Sequence, residues 1–254
     1  MNMKKITFKL LLLLVIMISG EAYCQKLFII EADDKFGILN DEGVEIVPTK
    51  YDSIESFGVL KKNWVIVVLD GKKGILDNNG SVVLEAKYDD IGNFDQLHPN
   101  LLTIKSKGKV GLVNKSGKII LEPIFDEIKT FNSYQRDWAI VRLDYYFGII
   151  NDQGKTILNP EYDSIEPFNN YKKGWSKIKY DGKYGFLSNT GKIVVEAKYS
   201  SIGNFNVYRK DWAKIEINNK FGFLDKDGNV VVPVAYDNVE FMKKKPKQDL
   251  AIGN

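Results

Sequence analysis

The chain has 254 residues, of which 44% are hydrophobic, enough to fold by burial, and its charges nearly cancel at a formal +3. That balance excludes the strong positive field of a nucleic-acid binder. One histidine and one cysteine exclude a disulfide framework, the usual zinc ligand sets and most nucleophile–base pairs.

In chain order, Lys4 and Lys5 precede an apolar run from Leu10 to Ile18, followed by Ser19, Gly20 and Ala22. This order predicts a secretory signal peptide over residues 1–24, with cleavage before Gln25. The run is too short for a span of roughly 20 apolar residues, so no transmembrane segment is expected after its removal. An alternative is a lipoprotein acylated at Cys24, against which Glu21 and Tyr23 stand in the wrong places. Without residues 1–24 the chain is close to neutral and has no cysteine.

Residues 25–254 read as a single repeat domain. A glycine followed by an aliphatic or aromatic residue recurs at Gly37, Gly74, Gly111, Gly148, Gly185 and Gly222, every 37 residues. A second glycine column (Gly43, Gly80, Gly117, Gly154, Gly191, Gly228) and an aromatic column (Tyr51, Tyr88, Phe125, Tyr162, Tyr199, Tyr236) keep that period. Started at the tryptophan column, the units are 27–63, 64–100, 101–137, 138–174, 175–211 and 212–248, followed by a polar end near Lys243. Repeats of this length bury a core only by stacking on neighbours.

Each unit reads as β throughout. Trp138–Leu143 and Trp212–Ile217 alternate with period two. Asp70-Gly71, Lys107-Gly108, Asp181-Gly182 and Asn218-Asn219 then supply tight hairpin turns. The glycine-bearing strand follows, then a short loop ending in the second glycine, then an apolar third strand such as Val82–Leu84, whose composition predicts burial on both faces. Tyr-Asp-x-Ile-x-x-Phe (Tyr51 to Phe57, Tyr162 to Phe168) is a candidate short fourth strand.

These columns resemble the WG-repeat family across all six units, with Trp64, Trp138, Trp175 and Trp212 as the tryptophan, Leu27 and Leu101 in its place twice, and Ser200 for one aspartate. The resemblance implies a bacterial β-rich interaction protein, often exported or surface-associated, without a recognised catalytic centre. The expected fold is all-β, six tandem β-meander repeats in a propeller-like closed array, with an open β-solenoid or superhelix as the alternative.

Chemistry is sparse. His98 lies in a loop and reads as a solvated residue. Asp52, Asp89, Asp126, Asp163 and Asp237 recur once per unit; they either fix a corner by accepting backbone N–H groups or converge on a hard cation, and the repetition favours the corner. Asp225 to Gly228 resembles the start of a calcium loop, but Tyr236 stands where its glutamate belongs. The tryptophans and Phe57, Phe94, Phe131, Phe168 and Phe205 read as packing between units. No cofactor, metal site or catalytic residue is expected. The sharpest binding signal is the loop before three successive tryptophans, where Tyr134 with Arg136, Tyr171 with Lys173 and Tyr208 with Lys210 recur in register. Such a rim suits a protein, a glycan or an anionic envelope polymer. The expected function is an exported, non-enzymatic binding scaffold in the periplasm, at the cell surface or beyond; the alternatives are a structural envelope component and a carboxylate-based hydrolase.

Overall fold

The hairpin between the tryptophan strand and the glycine strand is the element around which each sheet forms. In the computed structural model, which describes residues 26–240, its two turn residues take positive φ in every sheet but the fourth, for example 50° at Asp70 and 70° at Gly71. A type I′ turn needs that geometry at both positions, and it matches the twist of the strands. The expected signal peptide over residues 1–24, with Cys24, and the basic end from Lys243 lie outside the described residues.

The first sheet has β1 (Phe28–Ala32), β2 (Lys35–Leu39) and β3 (Glu45–Tyr51). The second adds a leading strand, running β4 (Ser53–Ile54), β5 (Trp64–Leu69), β6 (Lys72–Asp77) and β7 (Val82–Tyr88), every neighbouring pair antiparallel. The third repeats it with β8 (Asp90–Ile91), β9 (Leu101–Ser106), β10 (Lys109–Asn114) and β11 (Ile119–Phe125). The fourth has β12 (Glu127–Ile128), β13 (Trp138–Leu143), β14 (Tyr146–Asn151) and β15 (Thr156–Tyr162). The fifth has β16 (Ser164–Ile165), β17 (Trp175–Tyr180), β18 (Lys183–Ser188) and β19 (Ile193–Tyr199). The sixth has β20 (Ser201–Phe205), β21 (Ala213–Ile217), β22 (Lys220–Leu224) and β23 (Val230–Tyr236). The short fourth strand expected at the end of each unit therefore exists, but it opens the next sheet instead of closing its own.

Two devices hold the glycine strand to the third strand. A side chain at the end of the glycine strand caps the connecting loop: Asn151 Oδ1 accepts the N–H groups of Gln153 and Lys155 at 3.1 and 2.8 Å, and Asp225 Oδ1 does the same for Asp227 and Asn229. The apparent calcium loop is thus an Asx turn. The third strand then bulges. Phe147 pairs with Tyr162 and Ile149 with Leu158, so β15 spends two extra residues opposite Gly148.

Sheets stack face to face, and the first residue after the strand glycine faces the next sheet while the second faces the previous one. Ile75 packs with Ile91, Leu102, Ile104 and Val113 of the third sheet, whereas Leu76 packs with Ile38, Val47 and Tyr51 of the first. The buried residues form five clusters, each spanning one consecutive pair of sheets. A closed ring of six would require a sixth cluster joining the last sheet to the first. Instead the outer faces of both end sheets are bare: Phe28 is 51% exposed where its counterparts Val65, Leu102 and Ala139 are at most 2%, and Tyr236 is 52% exposed against 2% for Tyr88. The closed array expected first is not formed among the described residues. The six sheets run as an open series, which fits the open alternative.

Candidate partner-binding rim

The loops before the tryptophans and the Asx loops share one end of every sheet. Residues 131–137, 168–174 and 205–211 adopt one conformation. After the loop phenylalanine, Asn132, Asn169 and Asn206 take φ of 65°, 73° and 69°, a region asparagine tolerates. The Oδ1 of each accepts the N–H of Asp137, Gly174 or Asp211 at 2.7 Å, closing the loop onto the tryptophan strand. In the first two loops Gly58 and Asp95 hold that position. The three clamped loops are the ones that carry the tyrosine and the cation.

Of the six predicted rim residues, the tyrosines turn inward and the cations outward. Tyr134 packs on the cluster holding Ile140 and Ile149; Tyr171 lies 5.8 Å from the Phe186 ring and Tyr208 lies 5.4 Å from the Phe223 ring. Arg136, Lys173 and Lys210 are exposed; the Arg136 side chain, 88% accessible, reaches Asp137 only at 3.6 Å. The cation that meets a tyrosine is one the sequence reading passed over. Lys177 Nζ is 3.2 Å from the Tyr171 hydroxyl and 4.5 Å from its ring centroid, and it donates to the Ile202 carbonyl of the sixth sheet at 3.2 Å. Lys214 stands 5.6 Å from Tyr208. Their signal was the shared register of Lys177 and Lys214, where Ile66 and Ile140 sit in other units.

The residue between tyrosine and outer cation has another task. Lys172 Nζ lies 3.7 Å from the Trp175 ring, Arg209 4.4 Å from Trp212 and Lys61 4.8 Å from Trp64. Lys61 also donates to the Lys115 carbonyl at 3.0 Å, and Lys172 to that of Lys226, each on the next sheet. Burial holds the Lys172 ammonium below the usual lysine pKa. The tryptophans themselves bridge sheets: Trp64 meets Phe94, Trp138 meets Phe168 and Trp175 meets Phe205 at ring separations of 6.1, 5.9 and 6.0 Å. Where Leu101 replaces tryptophan, His98 makes the corresponding contact, 5.4 Å from Phe131, and its Nδ1 accepts the Asn100 N–H. The histidine is half-buried packing, not a solvated loop residue.

The aspartate column fastens the opposite rim. Asp52 and Asp126 accept Lys35 and Lys109 of their own sheets at 2.6 and 2.7 Å. Each also accepts a turn N–H of the following sheet, Gly71 at 3.0 Å and Asp144 at 2.6 Å. Asp89 repeats the pattern with Lys72 and the Lys107 N–H. These carboxylates are committed to fixing corners, and among the described residues no three His, Cys, Asp or Glu side chains gather for a metal. The lysine hydrogen bonds, then the backbone bonds, hold Asp52, Asp89 and Asp126 below the ordinary carboxylate range. Because the folded-state values are depressed, this contribution is complete above the unfolded aspartate pKa of about 3.9 and is lost as pH falls below it. The urea midpoint should therefore drop on acidification below about pH 4, and Asp126→Asn should flatten part of that drop; an identical pH profile in the variant would remove the clip from the account.

The lysine–aspartate pairing breaks at two places, at Ser200, which replaces the aspartate, and in the fourth sheet. Tyr146 replaces the lysine of the fourth sheet, so Asp163 keeps only the Gly182 N–H, at 2.8 Å. Here Tyr146 and Tyr180 line a cleft of about 290 Å³ with Glu161, Asp163 and Asp181. Tyr145 beside it is 88% exposed. Burial, with Glu161 and Glu196 nearby, raises the Tyr162 phenol pKa. Sequence reasoning missed this cleft, although the lost lysine marks it.

An open series of antiparallel sheets with two rims of repeated loops defines a β-repeat scaffold, and among the described residues no helix is long and apolar enough to cross a membrane. The model of the WG containing repeat matches residues 36–72, 74–96, 111–146, 147–184, 184–221 and 221–245, and the chain belongs to that family. A comparison with curated proteins finds no match. Solved structures similar to it include Kluyveromyces lactis Hsv2, at 13% identity over 78% of this chain and 70% of that one, with a TM-score of 0.24. BamB from Moraxella catarrhalis aligns at 13% identity over 80% and 71%, TM-score 0.25, and apo AztD from Citrobacter koseri at 12% over 84% and 72%, TM-score 0.28. At such scores the superpositions fix neither closure nor function.

Proposed function

We propose that the protein is an exported, non-enzymatic scaffold of the cell envelope that binds an anionic partner along the rim of tryptophan loops. The observation that carries this reading is the single clamped conformation of residues 131–137, 168–174 and 205–211, which presents Arg136, Lys173 and Lys210 to solvent on three successive sheets. A rigid series of equivalent loops adds weak contacts without ordering each loop on binding. Export rests on the amino-terminal pattern of Lys4, Lys5 and the Leu10–Ile18 run.

Because the tyrosines support the sheets, the informative variant changes only Arg136, Lys173 and Lys210 to alanine. Pull-down from envelope fractions with residues 25–254 should recover a partner that the triple variant, still folded by circular dichroism, loses. Equal recovery by both would reject the rim and favour a structural envelope component. Loss with the native protein on raising salt is expected as well, since exposed charges are screened.

A further inference from the structure

The two ends of the array are complementary halves of the interface that the molecule makes five times internally. Sheets two to six each begin with a short leading strand, of two residues in sheets two to five and five in the sixth, and β1 has no such neighbour among the described residues, pairing only with β2. At the other end, Tyr236 and Asp237 repeat the Tyr-Asp corner, and Asp237 already holds Lys220 at 2.5 Å. The next residues, Asn238 and Val239, occupy the register of Ser53-Ile54 and Ser201-Ile202, but they pair with no strand. One end thus offers a leading strand without a sheet, and the other a sheet without a leading strand.

The side chains match in the same way. Internally, Tyr88 and Leu84 of one sheet cover Leu102 and Ile104 of the next. The sixth sheet leaves Tyr236 exposed and Val232 half-buried, while the first leaves Phe28 exposed and Ile30 and Leu39 half-buried. We propose that a second copy of this chain stacks head to tail, its first sheet taking Asn238-Val239 of the first copy as leading strand and burying Tyr236 against Phe28 and Ile30. The internal register Ser53 to Val68 and Ile54 to Val67 transfers to Asn238 opposite Glu31 and Val239 opposite Ile30. The Glu55 N–H donates to the Ile66 carbonyl internally, so Glu240 N–H would donate to Ile29. A contact between unlike surfaces leaves a free end on each side until a ring of copies closes.

Each end can be blocked separately. Glu240→Pro removes one backbone donor of the incoming strand, the counterpart of the Glu55 N–H, and Phe28→Asp puts a charge on the receiving face. By light scattering after gel filtration, residues 25–254 should reach two chains or more as concentration rises. Each variant alone should stay at one chain with an unchanged circular dichroism spectrum. An equimolar mixture should give two chains and no more, because each variant retains the end the other lacks. A parent that remains at one chain at every concentration, whether its ends stay free or close within the molecule, overturns the proposal. So does a parent-like mass for both variants, or a mixture that stays at one chain.

Discussion

Gly148→Ala is expected to destabilise the protein by about 3 kcal/mol, measured as a lower midpoint of urea unfolding at unchanged slope. The position has no unusual φ; its demand is for space. A Cβ built there stands 2.7 Å from both the Leu158 carbonyl oxygen and the Pro160 nitrogen, and 2.9 Å from the Asn159 carbonyl carbon. All three belong to backbone, so no rotamer change relieves the clash, and the bulge of β15 must open. The same approach occurs at Gly37, Gly74, Gly111, Gly185 and Gly222, which explains why the glycine column is unbroken while the tryptophan column accepts leucine twice. A loss below about 0.5 kcal/mol would mean that the bulge is soft and that the column has another cause. Gly154→Ala combines both penalties, since that residue has φ of 74° and a Cβ would stand 2.2 Å from the Ile120 carbonyl oxygen of the preceding sheet.

Deleting residues 127–163 should leave a folded, cooperative protein of five sheets with a lower midpoint and a urea slope reduced by roughly a sixth. The junction joins Asp126 to Ser164, so Asp126 can accept the Gly182 N–H as Asp163 does. Phe125 would then face Ile165 and Phe168 in place of Ile128 and Phe131. Like residue types meet, and one sheet interface is lost. In a ring the same deletion removes a wedge that nothing can fill, and cooperative unfolding should disappear. Calorimetry of the deletion variant against the parent therefore decides between the two assemblies.

The columns of the sequence made the sheet interior legible, because burial of both faces repeats at every unit and turn chemistry marks each hairpin. Asp70-Gly71 and Asp181-Gly182 stood out for that reason, and the structure puts each in the expected turn. The affiliation of the short leading strand was not legible, since two residues such as Ser53-Ile54 show no periodicity and their partner is fixed only by the Asp52 corner. Closure was hidden for a different reason: the angle between successive sheets belongs to no single column. At the rim, composition paired Tyr171 with Lys173 and Tyr208 with Lys210, whereas the cations that meet these rings are Lys177 and Lys214. Lys177 shares its column with Lys214, a polar position in the alternation of Trp212–Ile217, yet its long stem lets the ammonium reach Tyr171 and the next sheet.

The pairing of strands only with their neighbours in sequence bears on how the molecule is made. Among the described residues every hydrogen-bonded pair of strands is consecutive in sequence, so none of these segments must wait for a distant one before it can form a ladder. Most β proteins fold slowly because remote strands must find each other. Here any sheet can form first and serve as the template for the one on either side, and folding should advance along the chain at a rate that depends little on the number of units.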